Sequence, residues 1–351
     1  MRARTARNAV RADYPSQPLR IVGPMEILVY SGLELLGDGV MKLPFVRALR
    51  KRWPDAHITW LAGKGKTVYA NSLAPLVQGA LGTVLEDAGI GSRLAELLRP
   101  PLVGRRFDLV IDTQRRVITT LILRRVRSEC FVSGAADFLL SDRKPPPGYR
   151  RPERLVDQLL DLIEIAGGRR VEPDHALDLD PSLRRWAEAA LAPGPVYVGI
   201  APGAGGPDKR WPRERFVRLA ELQHQAGRVP VLFLGPAEAD WIRELREQAP
   251  WARFPLQEDL SPQEVAASPL MTIALGQRLA LAVANDSGMG HLLAASGCPV
   301  VSLFGPTRPA KFAPSARRLT VIEASTYGNS EISTIPLTAV AEAVTHALAW
   351  A

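Results

Sequence analysis

Three loops in this 351-residue sequence gather side chains that could do chemistry. The first is Ser31-Gly32-Leu33-Glu34-Leu35-Leu36-Gly37-Asp38-Gly39. Its carboxylate, Asp38, reads either as the N-cap of a following helix, satisfying orphan amides, or as a general base held between two glycines. The loop alone leaves both open. The second is Ala201-Pro202-Gly203-Ala204-Gly205-Gly206-Pro207-Asp208-Lys209-Arg210-Trp211-Pro212. Glycine-exposed amides at a helix start, with Lys209 as a point charge, would cradle an anion; a solvated turn is the alternative. The third is Asn285-Asp286-Ser287-Gly288-Met289-Gly290-His291. Asn285 and Asp286 could bond ligand hydroxyls, the amides from Ser287 to Gly290 would point above a helix start, and His291 falls about one helical turn in.

These loops need elements that aim them at a common space. Short β-rich runs at 27–30, 57–61 and 109–111 alternate with helical periodicity at 40–52, 92–98 and 117–125. The same grammar restarts with strands at 196–200, 229–234, 279–284 and 300–304 and helices at 212–225, 238–248, 269–278 and 289–296. Such alternation predicts an α/β fold with two successive Rossmann-like domains on parallel sheets. Ligands of such sheets bind beyond the carboxyl ends of the strands, where all three loops fall. The boundaries read as a basic flexible tail (1–22), a first domain (23–172), a linker (173–194), a second domain (195–335) and a terminal helix (336–351) expected to pack back on the first domain.

Composition excludes several classes. The hydrophobic fraction of 46% and charged fraction of 23% rule out a disordered or low-complexity chain. No apolar run reaches the roughly 18–20 residues that span a bilayer, and the first 22 residues lack the apolar stretch of a secretory signal. Cys130 and Cys298, without a CxxC, make neither a disulfide framework nor a thiolate zinc site and fit a reducing, cytoplasmic setting. Gly65-Lys66-Thr67 fails as a P-loop because Trp60 stands where its first glycine belongs. Asp178-Leu179-Asp180 mimics a metal-binding DxD but precedes a helix near Pro181, where capping explains it, so no metal site is expected. Neither a GxSxG elbow nor an HExxH helix is present.

Taken together, the loops resemble glycosyltransferase family nine, the lipopolysaccharide heptosyltransferase family. The resemblance runs from Ile27 to about Pro314. It rests on Leu36-Gly37-Asp38, Lys42-Leu43-Pro44, Trp53-Pro54-Asp55-Ala56 and Phe107-Asp108-Leu109-Val110-Ile111-Asp112 in the first half. In the second it rests on Pro202-Gly203-Ala204, Lys209-Arg210-Trp211-Pro212, Leu234-Gly235-Pro236-Ala237-Glu238, Asn285-Asp286-Ser287-Gly288 with His291, and Leu303-Phe304-Gly305-Pro306-Thr307. It implies a GT-B architecture, two facing Rossmann-like domains with the site in the cleft. The implied reaction is inverting, metal-independent transfer of a sugar, heptose from ADP-heptose foremost, onto a lipopolysaccharide-core or other cell-surface glycan. Asp38 matches the catalytic base, Lys209 the diphosphate ligand and Glu238 a ribose ligand, while Gly203, Asp286, Ser287, Gly288 and His291 fall in the donor site. No cofactor is implied beyond the nucleotide-sugar co-substrate. A GT-B nucleotide-sugar epimerase and a catalytically silent nucleotide- or glycan-binding protein are the competing readings.

The departures from the family pattern fall mostly on the acceptor side. The loop before Asp38 is one residue longer than usual and lacks its customary serine, and Gly39 replaces a common aliphatic residue. Arginine follows Gln114 where glycine is common. Lys42, Arg115 and Arg116 are the acceptor-side anion candidates.

The net charge of +8 is distributed unevenly. Residues 1–172 carry 28 lysines and arginines against 18 acidic residues, whereas 173–351 carry 16 against 18. The half that holds Asp38 is therefore expected to meet an anionic glycolipid at the inner face of the cytoplasmic membrane, each basic residue near that surface contributing about 1 kcal/mol. No nucleic-acid recognition motif accompanies the charge.

Overall fold

A computed structural model describes residues 24–32, 34–63, 65–91, 93–98, 101–171, 177, 179–258, 268–316 and 318–349. The basic tail at 1–22, residues 173–176 and 178 of the expected linker, and the chain end at 350–351 lie outside the described residues.

The first sheet comprises β1 (Glu26–Tyr30), β2 (His57–Leu61), β3 (Thr83–Leu85), β4 (Arg106–Asp112) and β5 (Arg127–Ser133) in the order β3-β2-β1-β4-β5. The second comprises β6 (Tyr197–Ala201), β7 (Val229–Leu232), β8 (Leu281–Asn285), β9 (Val300–Phe304) and β10 (Leu319–Glu323) in the order β10-β9-β8-β6-β7. Every pairing is parallel, so all post-strand loops of a sheet emerge on one edge. Both sheets run outward from a central strand with a crossover, and the three chemistry-bearing loops follow β1, β6 and β8, each next to such a reversal.

Helices α1 (Leu36–Arg52), α2 (Ala74–Val77), α3 (Val117–Leu123) and α4 (Leu155–Gly167) accompany the first sheet. After it come α5 (Pro181–Ala190), α6 (Arg213–Gln225), α7 (Ile242–Gln248), α8 (Pro255–Glu258), α9 (Pro269–Gly276), α10 (Gly288–Ala295), α11 (Pro309–Phe312) and α12 (Leu337–Leu348). The central strands β6, β8 and β9 are buried at every position, as strands covered on both faces must be.

One apolar core runs through both halves, joining Phe45, Val46 and Leu49 of α1 to Leu159, Leu160 and Ile163 of α4 and to Leu292 and Leu293 of α10. Helix α1 of the first domain, which carries Asp38, is thus packed directly against α10 of the second. Three sequence expectations change here. The residues between 173 and 194 are not simply a linker, because α5 forms there behind Asp180, which caps it by accepting from the Ser182 amide at 2.7 Å. The terminal helix α12 buries Val340 and Val344 with Trp211, Phe216 and Val301 of the second domain and does not cross back to the first. The stretch at 238–248 divides into a 3-10 turn (Pro236–Trp241) and α7.

Gly39, unusual for its position, has a steric reason. A Cβ there would lie 2.3 Å from Val68 Cγ2, and its carbonyl accepts the Tyr69 hydroxyl at 2.7 Å. The turn Val68–Ala70 therefore presses on the first turn of α1 as no larger residue would allow.

At the end of β4 the fully buried Asp112 ties neighbouring loops together. It accepts from Thr120 Oγ1 (2.6 Å), Ser133 Oγ (2.9 Å) and the Gln114 amide (2.8 Å), while Gln114 Nε2 reaches the Ser31 carbonyl (2.5 Å). Burial pushes the Asp112 carboxyl up to about 6 against the opposing pull of those hydrogen bonds. Its folded value lies above the unfolded one of about 3.9, so folding takes up a proton between roughly pH 4 and pH 6. This group's contribution to stability is greatest below that window and falls as pH rises through it. Relative to Asp112→Asn, the wild type is expected to lose up to about 3 kcal/mol between pH 4 and pH 7, an order-of-magnitude figure from the same shift. Urea titrations of both proteins across that range would show it; parallel stability curves would contradict the assignment.

Candidate active site

Asp38 does not cap its helix. The N-cap of α1 is Leu35, without a side-chain cap, and Asp38 sits half-buried inside the first turn. A carboxylate there is favoured by the helix dipole. The helix starts at Leu36, four residues earlier than the apolar pattern indicates, because Gly37 and Gly39 are accommodated by tertiary contacts.

Gly37 makes the decisive contact between the domains. A Cβ on it would lie 3.5 Å from Gly288 Cα and 4.0 Å from His291 Cδ2. The N-terminal turn of α1 therefore lies against that of α10 at the start of their side-by-side packing, bringing Asp38 beside the Asp286–His291 loop. Ser287 caps α10 by accepting from the Gly290 amide at 3.3 Å.

His291 is buried, and desolvation lowers its imidazolium pKa, opposed by the charges of Asp286 and Asp38 and reinforced by Arg154 and Lys209. A neutral imidazole thus lies at the junction of two carboxylates and two cations. Lys209 reaches it from a 3-10 turn (Pro207–Lys209), not from a helix start, since α6 begins only at Arg213. Its Nζ donates to Asp286 Oδ2 at 3.0 Å, and the same oxygen accepts from Thr307 Oγ1 at 2.7 Å.

Asn285 departs from its expected role. It is fully buried and braces the loops: Oδ1 accepts from the Trp211 amide (3.2 Å) and Nδ2 donates to the Pro202 carbonyl (2.8 Å). It positions the lysine loop and does not face a ligand.

A cleft of about 260 Å³ opens beside this junction, lined by Gly203, Ala204, Gly205, Glu238, Ser287 and Gly288 toward the junction, and by Leu256, Pro269, Thr272 and Met289 at its apolar end. Glu238 Oε2 accepts from the Gly235 amide at 3.1 Å, and a Cβ on Gly203 would fall 2.5 to 2.8 Å from the Glu238 carboxylate. Gly203 is therefore the residue that leaves room for Glu238. The polar rim with an apolar end is the composition of a site for a ligand with charged and planar parts.

The structure does not bring all the acceptor candidates together. Lys42 is buried: Nζ donates to Ser31 Oγ (2.6 Å) and Glu34 Oε1 (2.8 Å), beneath the loop and off the cleft surface. Arg115 and Arg116 are exposed beyond β4. Partial burial and then the like charge of Arg151 hold the Arg115 guanidinium below its usual range, and both side chains flank Gly134.

Two residues at the junction were not among the candidate site residues read from the sequence. Arg154, at the N-cap of α4, donates from Nη2 to the Pro314 carbonyl across the domains at 3.2 Å and acts electrostatically on His291. Thr307 follows β9 and shares Asp286 with Lys209. Its place after a buried strand, in Gly305-Pro306-Thr307, was the available signal.

Comparisons with known proteins agree with this geometry. The profile of glycosyltransferase family 9 (heptosyltransferase) matches residues 97–334. Lipopolysaccharide heptosyltransferase 2 of Salmonella typhimurium is 31% identical over 325 residues, covering 85% of this chain and 88% of that protein. Among solved structures, a family 9 glycosyl transferase from Veillonella parvula superposes with a TM-score of 0.69 at 20% identity, covering 98% of this chain and 100% of that one. ADP-heptose LPS heptosyltransferase II of E. coli gives 0.65 at 21% identity, covering 93% and 99%. These last two share the two-domain GT-B fold. A chain so matched through both sheets, with its glycine loops and Asp38 meeting at the domain junction, is a glycosyltransferase and belongs to glycosyltransferase family 9.

Proposed function

We propose that this protein transfers heptose from ADP-heptose to an anionic lipopolysaccharide-core acceptor, with inversion at the anomeric carbon and without a metal. The observation that carries the reading is the close approach of the first turns of α1 and α10, Gly37 against Gly288, which sets Asp38 beside the Lys209–Asp286–His291 junction. The named donors and acceptors of the relatives support the substrate classes.

In this reading Asp38 takes the proton of the acceptor hydroxyl as its oxygen attacks the anomeric carbon on the face opposite the leaving group. The ADP that departs gains negative charge. Lys209, the amides at the start of α10 and the Gly203–Gly205 backbone meet that charge, the role a divalent cation would otherwise fill. Glu238 receives the ribose hydroxyls, and Leu256, Pro269 and Met289 enclose the base. His291, neutral, donates one hydrogen bond without adding charge beside Asp38.

The test is turnover of ADP-heptose on a heptose-deficient lipopolysaccharide, followed by NMR of the product. Transfer with inverted anomeric configuration and full rate in EDTA is the expected result. Retention of configuration, or activity restored only by added divalent metal, would overturn the mechanism. The ribose assignment has its own test in Gly203→Ala. The added methyl displaces the Glu238 carboxylate, and ADP affinity measured by calorimetry is expected to fall roughly tenfold, the worth of a hydrogen bond to a charged group. Unchanged affinity would remove Glu238 from the donor site.

The acceptor side fits a protein that works against an anionic surface. Exposed Arg115 and Arg116 sit beyond β4, and exposed Leu35, Val117 and Leu139 follow β1, β4 and β5 on the same edge of the sheet, Val117 as the first residue of α3. No helix among the described residues is long and apolar enough to cross a membrane. Peripheral contact at the inner face of the cytoplasmic membrane predicts binding to anionic vesicles that weakens as salt is raised.

A further inference from the structure

The loop that precedes Asp38 contains a buried charge whose effect on the reaction is separate from substrate binding. Glu34 is 4% exposed and accepts four hydrogen bonds: from Ser31 Oγ (2.6 Å) and Lys42 Nζ (2.8 Å) at Oε1, and from Trp60 Nε1 (3.0 Å) and Thr67 Oγ1 (2.6 Å) at Oε2. It knits β1, β2, the Val68–Ala70 turn and α1 into one unit directly under the start of that helix. A carboxylate so fully satisfied is fixed in place.

Lys42 lies four residues after Asp38 on α1. Residues so spaced are neighbours on a helix surface, with Cβ atoms about 5–6 Å apart, and an acidic residue preceding a lysine by four is the favourable orientation for pairing. Lys42 instead turns its ammonium back to Glu34 and Ser31. We propose that Glu34 is a positioning residue of the transfer reaction: by holding the Lys42 ammonium beneath the loop, it keeps that cation from pairing with the Asp38 carboxylate. This rests on the reading of Asp38 as the base.

The chemical consequence follows from what a base needs. A cation paired with Asp38 would favour its ionised form and make it a poorer proton acceptor in the transition state. Asp38 also faces His291 on α10, with Asp286, Lys209 and Arg154 acting on the same histidine, and Tyr69 stands against the neighbouring turn through Gly39. Of these only Tyr69 is also acted on by Glu34, and its phenol, held well above its usual range by burial, stays protonated across the acid limb, so a change in that limb reports on Lys42. The longer loop before Asp38 thereby acquires a purpose, since it supplies the carboxylate that sequesters the lysine.

The test is the pH dependence of kcat for full-length protein with ADP-heptose and heptose-deficient lipopolysaccharide, with ADP affinity by calorimetry and melting temperature recorded for each variant. Glu34→Gln is expected to lower kcat about tenfold or more and to move the acid limb down by about one pH unit, leaving ADP affinity within twofold. Adding Lys42→Met to Glu34→Gln is expected to return both the rate and the limb to near wild type. A merely structural Glu34 would lower the melting temperature, and Lys42→Met would restore that too by removing the uncompensated buried charge, but it would leave the acid limb unmoved, so the shift of the limb and its reversal are what discriminate. A wild-type profile for Glu34→Gln, or a loss that Lys42→Met does not recover, would overturn the proposal. If Glu34→Gln does not fold, Glu34→Asp serves in its place. Its shorter carboxylate holds Lys42 less firmly, so a smaller shift in the same direction is expected and an unshifted profile overturns the proposal. Asp38→Asn is assayed alongside: turnover retained there removes the base reading and this proposal together, whereas an inactive Asp38→Asn beside an unaffected Glu34→Gln removes this proposal alone.

Discussion

Asp38→Asn is expected to lower kcat for transfer by about 10²–10⁴-fold, the usual worth of a positioned general base. The folded state and nucleotide affinity should be nearly untouched. The change swaps one carboxylate oxygen for an amide nitrogen at a half-buried site in the first turn of α1, where no side-chain cap is being supplied and no cavity is opened. Its stability cost is confined to the loss of a favourable interaction with the helix dipole, about 0.3–1 kcal/mol. In the proposed function the affinity for ADP rests on residues of the second domain, chiefly Lys209 and the cleft that Gly203 and Glu238 line. Loss of rate with retained ADP binding would therefore isolate proton removal from donor binding. Turnover within tenfold of wild type would transfer the base role elsewhere, and Asp286 is not a ready substitute because it is already engaged by Lys209 and Thr307.

The sequence displayed the strands that are buried on both faces and concealed those that are not. β1, β2, β8 and β9 are short, mostly apolar runs, each interrupted or ended by no more than two polar residues, and are legible as strands for that reason. β5, Arg-Ser-Glu-Cys-Phe-Val-Ser, carries polar residues in its outer half, and β10 is only partly covered; both are edge strands whose pattern follows their exposure. The start of α1 was concealed for a different reason. Gly37 and Gly39 read as loop residues by propensity, yet they lie in the helix because Gly288 and Val68 approach where side chains would stand. The junction was legible where a loop's own residues meet there, as at Lys209, Asp286 and His291. It was not legible where the partner comes from a distant element: Arg154 acts electrostatically on His291, Asn285 braces Trp211, and Lys42 is claimed by Glu34 only after the chain has folded.

Lys209→Ala is expected to weaken ADP binding by about 10–100-fold, the loss of one charge-assisted contact, and to lower kcat by about 10²–10³-fold, because the leaving diphosphate gains charge as the bond breaks. The geometry argues for the upper part of both ranges. Lys209 Nζ stands 3.0 Å from Asp286 Oδ2 in a junction that also holds the neutral His291 and, electrostatically, Asp38. Deleting the ammonium leaves the Asp286 carboxylate, 9% exposed, beside the space the diphosphate would fill, supported by Thr307 alone among the contacts on that oxygen. The variant thus loses an attraction and uncovers a repulsion. Lys209→Arg keeps the charge but replaces a compact ammonium with a planar fork, and a partial recovery is expected from it. The double variant Lys209→Ala/Asp286→Asn separates the two components: affinity recovered relative to Lys209→Ala measures the uncovered repulsion, and the remaining deficit measures the missing cation. Calorimetry with ADP at two ionic strengths checks each step, because a contact between charges weakens as salt is raised. Wild-type affinity in Lys209→Ala would place the diphosphate away from this lysine.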